Sequence, residues 1–137
     1  MTDYSNIPDS FYRVSIKALV LDEQGRFLLL RESDDSWSFP GGGYDYADKS
    51  PREALVREIR EEMSVEILTM DEHPSYLIVA KNADGLPQAN IFYKTTLKNL
   101  EFTPNEECQE VRFFTSEEAL KLKAFANVPE FCKQYKN

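Results

Sequence analysis

Cysteine and histidine, the side chains that build most zinc sites, are scarce in this sequence. Its 137 residues contain two cysteines, Cys108 and Cys132, and one histidine, His73. These residues show no C-x-x-C pair or other zinc-ligand spacing, which argues against a zinc site. We interpret both cysteines as free thiols, which are typical of proteins in a reducing compartment.

Long apolar segments are also absent. No run approaches the roughly 20 consecutive apolar residues that a membrane-spanning helix requires. Residues 1–10 are polar, whereas a secretory signal peptide has an apolar core at this place. We therefore expect a cytoplasmic protein that does not insert into a membrane.

Basic residues are in the minority, since 16 Lys and Arg against 24 Asp and Glu leave a formal net charge of −8. A chain of this charge is repelled by nucleic acid backbones and by anionic membranes. We therefore expect it not to bind a nucleic acid duplex. An acidic protein can still bind phosphate groups when bound metal cations reverse the local sign of the charge.

Apolar residues are abundant enough for a packed core, with 42% hydrophobic and 12% aromatic residues. The chain has no repeat, low-complexity tract or linker, so we expect a single domain over residues 1–137. Periodicity and turn residues predict strands over 12–21, 26–31, 65–70, 76–81, 91–97 and 110–114, and helices over 50–63, from 116 and over 129–135. We predict that the first two strands form a hairpin about residues 22–25. This order predicts an α/β protein with a mixed sheet.

The central helix has a strong start signal. Ser50 can serve as its N-cap, Pro51 suits the first helical position, and Glu53 can complete a capping box. Apolar residues then recur every four positions from Leu55 to Met63, which predicts a buried stripe along one side of the helix.

Three glutamates of this helix, Glu58, Glu61 and Glu62, lie at positions i, i+3 and i+4 and therefore share one face. Like charges this close repel one another, and a hard divalent cation such as Mg²⁺ or Mn²⁺ would offset the repulsion. The alternative is a solvated helix on which Arg57 forms ordinary ion pairs with Glu53 and Glu61.

A glycine triplet, Gly41–Gly43, precedes this helix and follows Phe39 and Pro40. Glycines allow the backbone to approach a ligand or a metal without a Cβ atom in the way, although a triplet taken alone is more typical of a turn. A strand, a glycine loop, a capped helix and an acidic face in succession are much less expected by chance.

In this arrangement the sequence resembles the Nudix hydrolase family, whose signature is Gly-x5-Glu-x7-Arg-Glu-U-x-Glu-Glu-x-Gly-U, with U apolar. The segment Gly42–Val65 covers that signature. Its second half matches at Arg57, Glu58, Ile59, Glu61, Glu62 and Val65, and Trp37-x-Phe39-Pro40-Gly41-Gly42 resembles the usual approach to it. The resemblance implies a Nudix-like α/β/α sandwich with a mixed central β-sheet.

The sequence departs from the signature in its loop and at the end of its helix. Counted from Gly42, the first acidic position is filled by Asp48, and Lys49 then adds one residue before Arg57. Counted from Gly43, Lys49 would replace the acid. We prefer the first alignment because it keeps an acid there. Ser64 stands where the family has a glycine in the left-handed conformation, which should cost on the order of 1 kcal/mol of stability.

The resemblance also implies a role for each matching residue. Glu58 and Glu62 would bind the metal, together with the carbonyl group of Gly42. Glu61 would bind metal, orient water or act as a base, and Arg57 would hold the glutamates in place. Gly41, Gly43 and Asp48 would contribute to substrate binding. Among the acids outside the signature, Glu106, Glu107 and Glu110, the best match to a further catalytic acid is Glu110.

The implied function is metal-dependent hydrolysis, with Mg²⁺ or Mn²⁺, of the diphosphate linkage in a nucleoside diphosphate joined to another group. Two alternatives remain at this point: a Nudix-fold nucleotide-binding or regulatory module without catalysis, and an unrelated α/β protein with a solvated acidic helix. The sequence does not identify the attached group. A homodimer is a further expectation for a small α/β domain with many aromatic residues.

Overall fold

The computed structural model describes residues 1–136, which form eight strands and three helices. The elements are β1 (Arg13–Leu19), β2 (Phe27–Arg31), β3 (Trp37–Ser38), β4 (Gly41–Gly43), α1 (Pro51–Met63), β5 (Ile67–Met70), β6 (Tyr76–Lys81), β7 (Pro87–Leu97), β8 (Glu110–Phe114), α2 (Ser116–Ala119) and α3 (Asn127–Gln134). The predicted α/β class is confirmed. In this described part of the chain, every helix is too short or too polar to span a bilayer.

The strands form two sheets. The larger sheet has the order β4-β1-β7-β5, and β6 pairs with the other end of the long strand β7. It is mixed, because β1 runs parallel to β7 while its other pairs are antiparallel. The smaller sheet is antiparallel and has the order β3-β2-β8.

The predicted hairpin between the first two strands is wrong. Only its tip is paired, through a single bridge between Leu21 and Phe27 and a hydrogen bond of 2.9 Å from the Leu28 amide to the Val20 carbonyl. Beyond the tip, β1 enters the larger sheet and β2 enters the smaller one. The physical reason is burial: Phe27–Leu30 are buried on both faces, and a strand of that kind is covered by packed layers on each side.

Strand alternation distributes the core between two layers of helix. Leu28 and Leu30 face a cluster that includes α1, whereas Phe27 and Leu29 face a second cluster that includes Phe131 of α3. Because successive strand side chains point to opposite faces, α1 and α3 lie on opposite sides of the strands. This is the helix–sheet–helix sandwich that the resemblance implied.

Helix α1 begins and ends where the sequence predicts. The Ser50 hydroxyl accepts a hydrogen bond of 3.1 Å from the Glu53 amide, and Pro51 occupies the first turn. Ser64 caps the other end in the left-handed conformation, with φ 58° and ψ 34°. The predicted left-handed serine is confirmed, and α1 is therefore held at both ends with its buried stripe against β1 and β4.

Candidate metal and diphosphate site

A cavity of about 250 Å³ lies where α1 meets β4 and β1. The charged residues that line it are Glu58 and Glu62 from α1, Glu32, Glu107, Arg13 and Lys17. The glycine triplet of β4 forms another wall. The cavity therefore concentrates four carboxyl groups against a backbone wall that carries few side-chain atoms.

The wall and the helix contact each other directly. The Gly41 amide donates a hydrogen bond of 2.7 Å to Glu62 Oε1. The carboxylate of Glu58 lies against Gly42 so closely that a Cβ atom at position 42 would overlap it. This close approach is the physical reason for glycine at position 42, and it brings backbone groups and two helix carboxylates together.

Burial changes the protonation of these acids. Glu62 is buried, and burial raises its pKa to about 8 against the opposing effects of the Lys17 ammonium and the Gly41 amide. Burial also raises the pKa of Glu58, although hydrogen bonding from Arg57 opposes that rise. Both acids therefore gain from a cation that pairs with their ionised forms.

Lys17 is a buried cation that the sequence-based assignment of site residues missed. Its side chain runs from the middle of β1 into the cavity, where Nζ donates hydrogen bonds to the carbonyl oxygens of Gly41 at 3.0 Å and Phe39 at 3.5 Å. Burial lowers the pKa of Lys17, and the nearby glutamates counteract this. The only signal in the sequence was a lysine inside a strand whose neighbours Ile16 and Ala18 are apolar.

Arg57 connects the helix to the loop before it. Its Nε and Nη2 atoms donate to the two carboxylate oxygens of Asp48, each at 2.8 Å, and Nη2 also donates to the Gly43 carbonyl at 3.1 Å. Hydrogen bonding from Arg57 lowers the pKa of Asp48 to about 2. Lys49 is exposed. The structure thus places Asp48, and not Lys49, opposite the signature arginine, as in the preferred alignment.

The three glutamates of the signature do not share one environment. Glu58 and Glu62 line the cavity, whereas the side chain of Glu61 is 55% exposed and forms an ion pair with Arg57 at 3.3 Å. Glu61 does not line the cavity. Its helical neighbour Glu62 turns toward Gly41 because one step along a helix rotates the side chain by about 100°.

The structure does not bring Glu110 to the cavity. Its carboxylate is held by Arg31 at 3.2 Å on the neighbouring strand β2 and by Arg112. Glu107 reaches the cavity instead. Asn105 directs its loop, because the Asn105 amide nitrogen donates to the Glu62 carbonyl at 2.8 Å while its amide oxygen accepts from the Glu107 backbone amide at 2.8 Å.

Two further polar residues of the cavity were not assigned from the sequence. Glu32 follows β2, and burial raises the pKa of its carboxyl group. Asn127 begins α3 and donates to Asn90 Oδ1 at 3.1 Å, while its own Oδ1 is buried without a hydrogen-bond partner. A buried acceptor of this kind is normally satisfied by water or by a ligand. Neither residue belongs to a local motif, so only the packing of distant segments identifies them.

The donor atoms that line the cavity are of the kind that binds a hard divalent cation. The available donors are carboxylate and carbonyl oxygens, which Mg²⁺ and Mn²⁺ prefer. Within residues 1–136, no three or more His, Cys, Asp or Glu side chains are already clustered closely enough to form a complete metal site. Glu58, Glu62 and a glycine-loop carbonyl would therefore form a partial set, which substrate oxygens and water complete, as is usual for Mg²⁺.

Comparison with known proteins gives a consistent result. A family model described as NUDIX domain matches residues 11–135. An RNA pyrophosphohydrolase of Gluconacetobacter diazotrophicus is 35% identical over 88 residues, which cover 56% of this chain and 50% of that protein. Another, from a Nitratiruptor species, is 38% identical over 73 residues, or 48% of this chain and 46% of that one. The chain thus spans about half the length of these curated relatives.

Solved structures share the fold. A MutT protein from Methanosarcina mazei Go1 superposes with a TM-score of 0.74 at 22% identity, covering 93% of this chain and 94% of that one. An ADP-ribose pyrophosphatase from Streptococcus suis superposes with a TM-score of 0.60 at 25% identity, covering 90% of this chain and 87% of that one.

Proposed function

The chain belongs to the NUDIX domain family, and from this membership we propose that it is a metal-dependent pyrophosphohydrolase. Its substrate would be a nucleoside diphosphate linked to another group, such as a nucleotide derivative. The observation that carries this proposal is the contact between Gly41 and Glu62, which joins the glycine loop to a buried helix carboxylate at the cavity. A merely solvated acidic helix would leave Glu62 exposed to water.

In this proposal Glu58, Glu62 and a carbonyl group of the glycine loop, with Gly42 the residue expected from the signature, hold Mg²⁺ or Mn²⁺. When bound, the metal neutralises the diphosphate and makes water more acidic. Lys17 lines the cavity with a buried amino group, which in its charged form can pair with a phosphate oxygen. Gly41 and Gly43 would contact the substrate as part of the backbone wall, where a Cβ atom would collide with β1 at position 41 and with Arg13 at position 43.

Glu107 takes the proton of the attacking water. Two acids outside the signature, Glu32 and Glu107, line the cavity, and we assign the base to Glu107 because Asn105 ties its loop to the end of α1. Arg57 acts as a positioning residue, since it binds Asp48, Glu58 and Glu61 at once. Asp48 fixes Arg57, and Glu61 supports it from the solvent side. In this assignment Glu61 and Glu110 do not touch the substrate.

The relatives suggest several diphosphate substrates. Both curated relatives described above are RNA pyrophosphohydrolases, and the fold is shared with an ADP-ribose pyrophosphatase and a UDP-X diphosphatase. We propose a small-molecule diphosphate as the substrate, because net charge −8 disfavours a long polyanion. A 5′ end of RNA is the competitor that the substrate panel must include.

Location and assembly are proposed on separate grounds. Cys108 and Cys132 are free thiols, which supports a reducing, cytoplasmic environment.

Two apolar side chains of β6, Leu77 and Val79, are more than half exposed. We propose that this surface supports a homodimer, which sedimentation equilibrium would detect as twice the monomer mass.

A product-release assay tests the function. The panel should contain nucleoside triphosphates, ADP-ribose, nucleotide sugars, dinucleoside polyphosphates, NADH and 5′-triphosphate RNA, each with Mg²⁺ or Mn²⁺. Metal-dependent cleavage that disappears in Glu62→Gln supports a pyrophosphohydrolase and identifies its substrate class. An intact panel, together with metal binding measured by calorimetry, would instead favour a nucleotide-binding module of the same fold.

A further inference from the structure

The catalytic cavity lies between two larger cavities. On one side it shares Arg13 with a cavity of about 600 Å³, which we call the tyrosine cavity because Tyr12, Tyr44 and Tyr46 line it. On the other side it shares Gln88, Phe125 and Asn127 with a cavity of about 620 Å³, the lysine cavity, which Lys81 and Lys123 also line. A diphosphate held in the middle would therefore have space for a group at each end.

The sizes of the cavities favour different contents. Typical ligand pockets have volumes of roughly 300–1,000 Å³. Both flanking cavities fall in this range, whereas the catalytic cavity, at about 250 Å³, falls below it. The central cavity is therefore suited to the diphosphate and its metal, and each flanking cavity is large enough for a ring system.

The tyrosine cavity has the chemistry of a stacking site. Tyr12 and Tyr46 are well exposed, so their rings can contact a ligand, and Tyr44 packs against the core beneath them. Aromatic side chains bind planar heterocycles of many kinds through their faces.

Arg13 stands at the boundary between the tyrosine cavity and the catalytic cavity. It crosses the loop beside Gly43, where a side chain would collide with its guanidinium group, and it donates to the Tyr44 carbonyl at 3.2 Å and to Asp45 at 3.3 Å. The Arg13 guanidinium group is therefore held between Gly43 and the backbone and side chain of the residues that follow it. A cation here can contact the phosphate or sugar that joins the diphosphate to a ring.

The acids of the tyrosine cavity do not repel a phosphate strongly, because each one is paired with an arginine. Asp45 lies 3.3 Å from Arg13 and 3.8 Å from Arg57, and Asp48 lies 2.8 Å from Arg57. These pairs leave the aromatic rings available to a ligand, together with those N–H donors of Arg13 that Tyr44 and Asp45 do not use.

We propose that the tyrosine cavity binds a second heteroaromatic group of the substrate, so that the preferred substrate carries a ring-bearing group at both ends of its phosphate chain. A dinucleoside polyphosphate has this form, whereas a nucleoside triphosphate has a ring at one end only. The inference rests on the proposed function, since it takes the central cavity as the diphosphate site.

Calorimetry with analogues that cannot be hydrolysed tests this inference. The pair is a methylene-bridged diadenosine diphosphate analogue, which has two rings, and the methylene analogue of ADP, which has one, both measured with Mg²⁺. The wild-type protein should bind the two-ring analogue ~10-fold more tightly, because stacking of one base contributes about 1–3 kcal/mol. Equal affinities, or no binding of either analogue, would overturn the proposal.

Variants of the exposed tyrosines locate the second ring. Tyr46→Ala and Tyr12→Ala should weaken binding of the two-ring analogue ~10-fold and leave the one-ring analogue unchanged, while Tyr46→Phe keeps the preference. Tyr4→Ala is the matched control, because Tyr4 is similarly exposed but does not line the cavity. Equal weakening of both analogues, or no effect on either, would contradict the assignment.

The design separates this inference from the proposed function, because binding needs no turnover. A two-ring preference without hydrolysis of any substrate would support the tyrosine cavity and refute the hydrolase. Hydrolysis without a two-ring preference would support the hydrolase and refute the role of the tyrosine cavity. Thermal unfolding of each variant checks that the fold is intact, which is expected because both substituted side chains are exposed.

Discussion

Two acidic regions of this protein look alike in sequence and differ in structure. In the first, α1 and β4 bring Glu58 and Glu62 into a cavity where burial raises the pKa of both. In the second, at the pairing of β2 with β8, Glu110 is held between Arg31 and Arg112. Those hydrogen bonds lower its pKa against the effect of burial.

The difference shows that the chemistry of a carboxylate depends on what lies opposite to it. Across β2 and β8 the register places Arg31 directly opposite Glu110, so the acid is already neutralised. In the cavity at α1, Glu62 meets a backbone amide and Lys17, and Glu58 meets Arg57 at 2.9 Å, yet burial still raises the pKa of both acids. A bound cation would therefore stabilise the ionised acids of the first region, whereas Glu110 in the second region is already paired with arginine.

The largest expected difference in activity is between two variants that each neutralise one acid, Glu62 in the first region and Glu110 in the second. Glu62→Gln should lower kcat/KM by ~10³-fold, because a metal ligand supports several kcal/mol of charge stabilisation. Glu110→Gln, the matched change, should leave kcat/KM within about twofold, since Glu110 lies outside the cavity. Steady-state kinetics on the best substrate of the panel decides the matter. A comparable loss in both variants would erase the distinction between the regions.

A sharper contrast uses two consecutive acids of one loop. Glu107→Gln should lower kcat on the order of 10²-fold with little change in KM, as expected for the loss of a general base. Its neighbour Glu106 does not line the cavity, so Glu106→Gln should behave like the wild type. Steady-state kinetics of the two variants on the same substrate separates the change in kcat from that in KM. If Glu106→Gln shows the larger loss, the base has been misassigned.

Ion pairs of the two regions should differ in their effect on stability. Asp48 binds Arg57 through two hydrogen bonds, whereas the ion pair of Asp35 with Arg31 is exposed. Because the pKa of Asp48 falls from its ordinary value near 3.8 to about 2, the pair stabilises the fold above pH ~4 and loses that effect as pH falls through 2. Asp48→Asn should therefore lower the unfolding temperature at pH 7 but not near pH 2.

Asp35→Asn is the control for this measurement, and it should change the unfolding temperature little at either pH. Thermal unfolding by circular dichroism, recorded from pH 2 to pH 7 without metal, gives both comparisons. An Asp48→Asn deficit that persists unchanged at pH 2 would mean that packing, and not charge, is responsible.

The smallest expected effect concerns backbone strain. Ser64, at the end of α1, and Asp35, after β2, both have positive φ, of 58° and 66°. Ser64→Gly should raise the free energy of unfolding by about 1 kcal/mol and leave activity unchanged. Asp35→Gly should gain less, because it also removes the ion pair with Arg31. Urea unfolding measures both, and a gain at Asp35 larger than that at Ser64 would contradict this ranking.

Much of the fold was accessible from local pattern. Helix α1 occupies the predicted residues because its cap, its apolar period and its left-handed end are all determined within a few residues of chain. Strands β6 and β8 also lie where alternation predicts them. The separation of β1 and β2 into two sheets was not accessible, because a local turn does not reveal which distant strand a buried segment will join.

The candidate site also has a part that local sequence pattern predicted and a part that it did not. The spacing of Glu58, Glu61 and Glu62 along one helix identified the acidic face, and the alignment from Gly42 placed an acid at Asp48, which the structure pairs with Arg57. Which of these acids meets the cavity could not be predicted, since Glu61 and Glu62 differ only in what packs beside them.

By itself the sequence determined a family, a central helix with its two ends, and a set of acids at helical spacing, because each of these depends on residues close together in the chain. Only the tertiary structure decided that Glu107 and not Glu110 faces the cavity, that Lys17 and Glu32 join it, and that arginines neutralise the acid of β8. These contacts join segments that are distant in the chain, such as Arg31 and Glu110 at a separation of 79 residues, and strand register and packing alone bring such segments together.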